Sequence, residues 1–191
     1  MRHIAIFASG TGSNAKKIIE HLNVNNQSKE ATVALVVSNN PGAEVLKIAA
    51  AYQIKTLVIE KEKFCDGTAY TEELKNAGID FIVLAGFLWK IPAAFIKEFN
   101  NRIINIHPAL LPKYGGKGMY GRYVHESILA NKEKESGITI HYVDEIYDNG
   151  QIILQATCLV DEKDTPESLA RKVQELEHRH FPPAVAMLSR L

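Results

Sequence analysis

Short apolar runs alternate along this chain with stretches of helical spacing, and the alternation sets an expectation for the fold before any single residue is considered. His3 to Ala8, Ala31 to Val37, Lys55 to Ile59, Ile79 to Leu84 and Arg102 to Ile106 read as strands. Between them Asn14 to Val24, Gly42 to Tyr52, Ala69 to Ala77 and Pro92 to Glu98 read as helices, the last with proline near its start. Strands separated by helices imply a parallel sheet with right-handed crossovers. After a glycine-rich stretch, Gly115 to Gly121, another helix is expected over Tyr123 to Ala130. Gly137 to Val143 and Gln151 to Val160 then follow one another across a turn holding Asp148-Asn149-Gly150, a hairpin-like signal for antiparallel strands. Thr165-Pro166-Glu167 opens a final helix toward Arg179, with threonine as N-cap and proline at the first helical position. The expected fold is α/β, with a mixed, mainly parallel sheet flanked by helices on both faces and antiparallel strands near the C-terminal end.

Composition narrows the picture. With 191 residues, 46% of them hydrophobic, the chain can bury one substantial core, so a single domain over residues 1–191 is expected. Lys and Arg together number 22 and so do Asp and Glu, and no long basic block occurs, which argues against a nucleic-acid partner held by phosphate contacts. Any bound anion should be small and locally recognised. Cys65 and Cys158 are too few and too far apart for a disulfide framework or metal cluster; a reducing cytoplasm fits, with both thiols as inert packing. Met1 to Ala8 is far too short for a signal or membrane segment and runs straight into a glycine turn, so no membrane partner is expected.

The densest candidate chemistry lies in Asn105-Ile106-His107-Pro108-Ala109-Leu110-Leu111-Pro112. Alternate side chains share a face of a strand, so Asn105 and His107 project together at the end of the Arg102 to Ile106 strand, while Pro108 keeps His107 extended. The carboxyl ends of strands are where open α/β sheets bind ligands. Asn105 can donate two hydrogen bonds to an oxyanion, and His107 can protonate the same centre. A carboxylate such as Asp148 would raise the His107 pKa. Plainer uses stay open: a strand-end amide, a hydrogen-bonded core histidine, a turn-forming aspartate. His141, in Ile138-Thr139-Ile140-His141-Tyr142, is either a second site imidazole or a half-buried one with a structural bond. His125, His178 and His180 lack metal-ligand spacing, and His3 and His21 read as surface residues. Ser9-Gly10-Thr11-Gly12-Ser13-Asn14, between the first strand and helix, either offers amides and a helix start to a phosphate or is a tight strand-to-helix turn that needs glycine only for its backbone. A dinucleotide needs a carboxylate after the second strand, which instead ends in Ser38-Asn39-Asn40. Bulk at Gly12 is expected to block the phosphate.

On those segments, together with Val83-Leu84-Ala85-Gly86-Phe87 and Asp148-Asn149-Gly150-Gln151, the chain resembles the 10-formyltetrahydrofolate-dependent formyltransferases over almost its whole length. Within them, the glycine loop combined with Glu177-His178 points to the branch acting on glycinamide ribonucleotide. The resemblance implies a Rossmann-like domain and direct attack of a glycyl amine on the formyl carbon, without a metal or covalent enzyme intermediate. Asn105 and His107 would stabilise and protonate the tetrahedral centre, with Asp148 tuning His107. Gly10, Thr11, Gly12, Ser13 and Asn14 would hold the ribotide phosphate, and Gln174 and Glu177 would contact the same substrate. The folate would lie against Leu88, Trp89, Lys90 and Ile91 and against Asp144, Glu145, Ile146 and Tyr147, with 10-formyltetrahydrofolate as cosubstrate. A cytoplasmic monomer or homodimer acting on these small molecules is expected. The rivals are a hydrolase of the same folate, whose relatives usually carry an N-terminal regulatory domain, another formyltransferase, and a non-catalytic nucleotide-binding module. The loop Tyr114 to Tyr123 is longer and more glycine-rich than the family pattern, and reads as a lid. Phe64-Cys65-Asp66-Gly67 lacks a basic residue for the folate tail, so that either Lys61, Lys63 or Lys90 substitutes or the tail is loosely held.

Overall fold

The computed structural model describes residues 1–24 and 30–190. Its strands are β1 (Arg2–Phe7), β2 (Ala31–Ser38), β3 (Lys55–Val58), β4 (Phe81–Leu84), β5 (Ile103–His107), β6 (Glu135–Tyr142) and β7 (Ile152–Leu159). They form one sheet in the order β3-β2-β1-β4-β5-β6-β7. β1 runs parallel to β2 and β4, β2 parallel to β3, and β6 antiparallel to β7. The helices are α1 (Ser13–Ile19), α2 (Glu44–Ala51), α3 (Lys61–Asp66), α4 (Thr68–Asn76), α5 (Ala93–Glu98), α6 (Arg122–Ala130) and α7 (Pro166–Leu188). The mixed, mainly parallel sheet expected from the alternation is therefore present, in the Rossmann-like form that the resemblance implies.

The chain divides into two compact units, one of Met1–Ile104 with the segment from Pro182 onward, the other of Asn105–Phe181. In the first, Ile4, Ala5 and Ile6 of β1 and Ile82 and Val83 of β4 are fully buried. Strands covered on both faces need continuous apolar sequence, which these runs supply. The chain steps outward from β1 to β3 and returns on β1's other side at β4. The switch point falls where β1 passes into the glycine loop, a place open α/β sheets use for ligands. In the second unit, Thr139 of β6 accepts a hydrogen bond from the Leu111 amide (3.0 Å) and donates to the Ala109 carbonyl (2.7 Å). Gln155 of β7 adds donations to the Leu111 carbonyl and to Thr139, both 2.9 Å. The loop after His107 is thus fastened to the sheet by buried Thr139 and by Gln155, whose polar groups satisfy those of the loop.

Several elements depart from expectation. α1 stops at Ile19, and Glu20–Val24 winds as a π turn. α3 has no counterpart in the expected elements, because its Lys61-Glu62-Lys63 start shows no apolar period; Phe64 alone anchors it in the core. α7 continues to Leu188 through Pro182 and Pro183 instead of stopping near Arg179. Proline removes backbone hydrogen bonds there, but Phe181, Val185 and Leu188 are buried and hold the turn together. At its start Thr165 and Ser168 exchange amide-to-hydroxyl bonds of 2.9 and 3.2 Å, a reciprocal cap. β6 and β7 are joined by a long connection, residues 143–151, in place of a tight hairpin. Cys65 is exposed, contrary to its reading as packing, since α3 turns it outward. No helix among the described residues is long and apolar enough to cross a membrane.

Candidate active site

In the first unit the glycine loop leaves β1 and is braced by main-chain bonds. The Ser9 amide donates to the Gly86 carbonyl (3.0 Å), and the Ser9 hydroxyl accepts from the Leu88 amide (3.0 Å). The Val45 amide, near the start of α2, donates to the Gly10 carbonyl at 3.2 Å. Gly10 and Thr11 are exposed, whereas Gly12 is buried in the left-handed region at φ 73°. A Cβ on Gly12 would lie 2.6 Å from Val45 Cγ2 and 2.9 Å from its Cα, while a Cβ on Gly10 meets nothing within 4 Å. This corrects the reading of Gly12 as a simple test of phosphate approach: helix α2 needs that glycine before any ligand does. Leu88 is 53% exposed and Ile91 is buried. Trp89 is half-buried against Phe64 and Phe87, with ring centroids 5.7 and 6.2 Å away, so packing already uses much of its surface.

The second unit brings Asn105, His107 and Asp148 together and adds His141. β5 extends through His107, so the pair sits on the strand itself rather than beyond its end. His107 Nε2 lies 2.7 Å from the Tyr114 carbonyl oxygen, which can only accept; Nε2 therefore carries a proton. His107 Nδ1 faces Asp148 Oδ2 at 3.6 Å, too long for a hydrogen bond and suited to a lone pair held off a carboxylate. Nδ1 is then the nitrogen that titrates. His141 Nδ1 donates to its neighbour's carbonyl, Tyr142 O, at 2.8 Å. Its Nε2 is left to accept from the Asn105 amide at 3.1 Å, and Asp148 Oδ1 lies 3.7 Å from the same nitrogen. Asp148 Oδ2 accepts from the Gly116 amide at 2.8 Å.

Burial and charge pull against each other here. Burial pushes the His107 imidazole below its ordinary value, and the Asp148 carboxylate and Tyr114 carbonyl, which act to raise it, do not fully compensate. Asp148 thus acts on His107 in the expected sense, but desolvation outweighs it, and His107 rests neutral at neutral pH. Burial likewise raises Asp148, yet its imidazole neighbours His141 and His107 and the bond from the Gly116 amide together bring it below the usual carboxylate range. His125 of α6 is buried, its Nδ1 lacks a hydrogen-bond partner, and burial followed by the charge of His107 holds it down. The unfolded chain therefore binds more protons than the folded one just below pH 6.5, the ordinary imidazole value. Stability should be fully present above that value and fall as pH drops below it. Thermal midpoints between about pH 7.5 and 5.5 check this, and His125→Leu should flatten the fall. An unchanged slope would remove His125 from the account.

Sequence reasoning leaves His141 undecided and misses Tyr114 and Gly116, which act through main-chain atoms that no side-chain pattern reports. Tyr114 and Asp148 both hold positive φ, 57° and 52°, strain that marks functional segments when surroundings over-determine it. Gly116 is fixed to Asp148, so the lid expectation fits the loop only beyond that residue. In the 144–147 segment, Asp144 accepts from the Ile146 amide and from Asn149, shaping a turn that leaves Ile146 64% exposed. Gln174 and Glu177 lie three apart on α7 and share a face. Among the described residues no group of three or more His, Cys, Asp or Glu is placed to hold a metal ion.

A family model described as formyl transferase matches residues 2–185. The chain belongs to the formyl transferase family. The chain is 41% identical over 185 residues to the chloroplastic phosphoribosylglycinamide formyltransferase of Arabidopsis thaliana, covering 94% of the chain and 63% of that protein. It is 41% identical over 191 residues to the trifunctional purine biosynthetic protein adenosine-3 of Drosophila melanogaster, of which it spans 14%. It is 34% identical to the phosphoribosylglycinamide formyltransferase of Bacillus subtilis, covering 98% of the chain and 95% of that protein. Among solved structures, the chain resembles glycinamide ribonucleotide transformylase 1 from Symbiobacterium toebii, with TM-score 0.89 and 32% identity over 99% of the chain and 88% of the other. The Bacillus halodurans phosphoribosylglycinamide formyltransferase gives TM-score 0.86 and 35% identity, over 99% and 94% of the two chains.

Proposed function

We propose that the chain is a single formyltransferase domain that moves the formyl group of 10-formyltetrahydrofolate to the glycyl amine of glycinamide ribonucleotide, in purine biosynthesis. The observation that carries this reading is the buried linkage of Asn105, His141, Asp148 and His107. The names of the relatives at 41 and 34% identity support it. The amine attacks the formyl carbon, a C–N bond forms and the carbonyl oxygen takes negative charge. Asn105 has one amide N–H engaged with His141 and one available for that oxygen. His107 Nδ1, positioned beside ionised Asp148, takes a proton as the amine loses it and returns it to the departing folate nitrogen, whose bond to the formyl carbon breaks. Burial keeps His107 neutral at rest and therefore able to accept.

Exposed Gly10 and Thr11, with Ser13 and Asn14, would hold the ribotide phosphate, and Gln174 and Glu177 would contact the same substrate. Leu88 to Ile91 and Asp144 to Tyr147 would contact the folate. We extend the reading to a cytoplasmic monomer or homodimer that acts without a metal and without nucleic-acid or membrane partners.

Incubation with both substrates should yield formylated ribotide and tetrahydrofolate in equal amounts. Folate deformylation without formylated ribotide would identify a hydrolase and overturn the reading. Asn105→Ala should lower kcat by roughly 100- to 1000-fold, the effect of removing an oxyanion donor. Gly10→Ala should raise the ribotide KM while leaving the urea midpoint unchanged, because its Cβ points into open space. An unaltered KM would remove the phosphate role of the loop.

A further inference from the structure

Tyr114 occupies a backbone conformation that glycine adopts far more readily, φ 57°, in a loop that already contains Gly115 and Gly116. A tyrosine there is explained only by what its side chain does. Its hydroxyl donates to Glu133 Oε1 at 3.0 Å, and the same oxygen accepts from Lys113 Nζ at 3.0 Å. Glu133 is itself fixed where α6 ends, its amide bonded to the Ile128 carbonyl at 3.2 Å. The other end of the same residue, the Tyr114 carbonyl, holds His107 Nε2. Side-chain anchor and main-chain acceptor belong to one strained residue, so the anchor determines where the carbonyl points.

We propose that Glu133 and the Tyr114 hydroxyl form a positioning pair that locks His107 as its Nε2–H tautomer and so assigns proton transfer to Nδ1. The kinetic consequence rests on the function proposed above; the tautomer itself does not. Lys113 keeps Glu133 ionised, and its bond together with that of Tyr114 holds the Glu133 carboxyl below its ordinary value. Without the pair, the loop can rotate the carbonyl away and the ring can protonate at either nitrogen. Asp148 from the turn, His141 from β6 and His125 from α6 are the other titratable groups that act on His107 or sit within its electrostatic reach. None of these three bonds Nε2, and the Asp148 carboxylate beside Nδ1 favours the opposite tautomer, so it is the Tyr114 carbonyl at 2.7 Å that holds the proton on Nε2.

The test uses Tyr114→Phe, Glu133→Ala and Glu133→Gln in the full chain. Ring nitrogen shifts of His107, read by NMR without substrates above its pKa, distinguish Nε2–H from Nδ1–H. Wild type and Glu133→Gln, which keeps an acceptor for the hydroxyl, should show Nε2–H; the other two should show a mixture. With substrates, Tyr114→Phe and Glu133→Ala should each lower kcat by about tenfold at unchanged KM. The double variant should be no worse than either alone, as expected for one shared contact. The carbonyl acts to raise the His107 pKa, so its loss should lower that pKa and move the corresponding limb of the pH profile to lower pH in the same two variants. A pure Nε2–H signal in Tyr114→Phe, or a mixture in Glu133→Gln matching that in Glu133→Ala, would overturn the pair. Absence of formylated ribotide from wild type would overturn the proposed function while leaving the NMR result to decide the tautomer.

Discussion

His107→Ala is expected to lower kcat by about a thousandfold, within the range typical of a lost general acid or base. The substitution removes the titrating Nδ1 beside Asp148, and nothing else in the cluster can replace it: His141 has one nitrogen bonded to the Tyr142 carbonyl and the other to Asn105. It also leaves the Tyr114 carbonyl without its donor, so a displaced loop adds to the loss. His107→Gln separates the two effects, since its amide can reach the Tyr114 carbonyl but cannot carry a proton between substrate atoms. Equal losses in both variants, with the urea midpoint preserved in His107→Gln, would place the effect in proton transfer. A glutamine variant within about tenfold of wild type would exclude His107 from that role.

Gly150→Ala should destabilise the protein by about 3 kcal/mol, near the upper end of overpacking effects. A Cβ there would sit 1.8 Å from the Tyr142 carbonyl oxygen and 2.7 Å from its carbon, and backbone cannot yield as a side-chain tip can. That carbonyl is also the acceptor that fixes His141, which in turn holds Asn105, so the variant should lose activity beyond its loss of stability. Gly118→Ala is the comparison: it has positive φ but open space, and should cost about 1 kcal/mol from backbone strain alone. Urea midpoints of the two variants decide the matter. Similar values would show that crowding at Gly150 is relieved elsewhere.

The physical origin of Gly150 illustrates what the sequence makes legible. Asp148-Asn149-Gly150 signals a turn, and a turn is there, but the glycine serves close approach to another segment rather than a hairpin conformation. Gly12 repeats the lesson: its place in a glycine loop suggests a ligand, and its Cβ space belongs to Val45. Buried strands such as Ile4 to Phe7 and Phe81 to Leu84 are readable because burial on both faces imposes unbroken apolar sequence. The passage of α7 through Pro182 and Pro183 is not, because local propensity opposes it and only burial of Phe181 and Val185 explains it. Within the site, Asn105 and His107 can be paired from strand alternation. His141 cannot be assigned that way, because its role depends on which carbonyl takes its proton, a fact of register rather than of composition.

The long loop places its constraints unevenly. Between His107 and Gly116 the chain must return twice to the same neighbourhood, once with the Tyr114 oxygen and once with the Gly116 nitrogen. Those contacts come from the main chain, so they tolerate changes of residue type better than changes of spacing. One residue inserted before Tyr114 shifts both partners out of phase with the imidazole and the carboxylate. Past Gly116 the glycines at 118 and 121 stand in open space, where a Cβ on either would meet no atom within 4 Å. Spacing is thus fixed up to a single peptide and side-chain size is unconstrained at two positions beyond it, which makes Gly116 the boundary between the frame around His107 and Asp148 and a roomier segment.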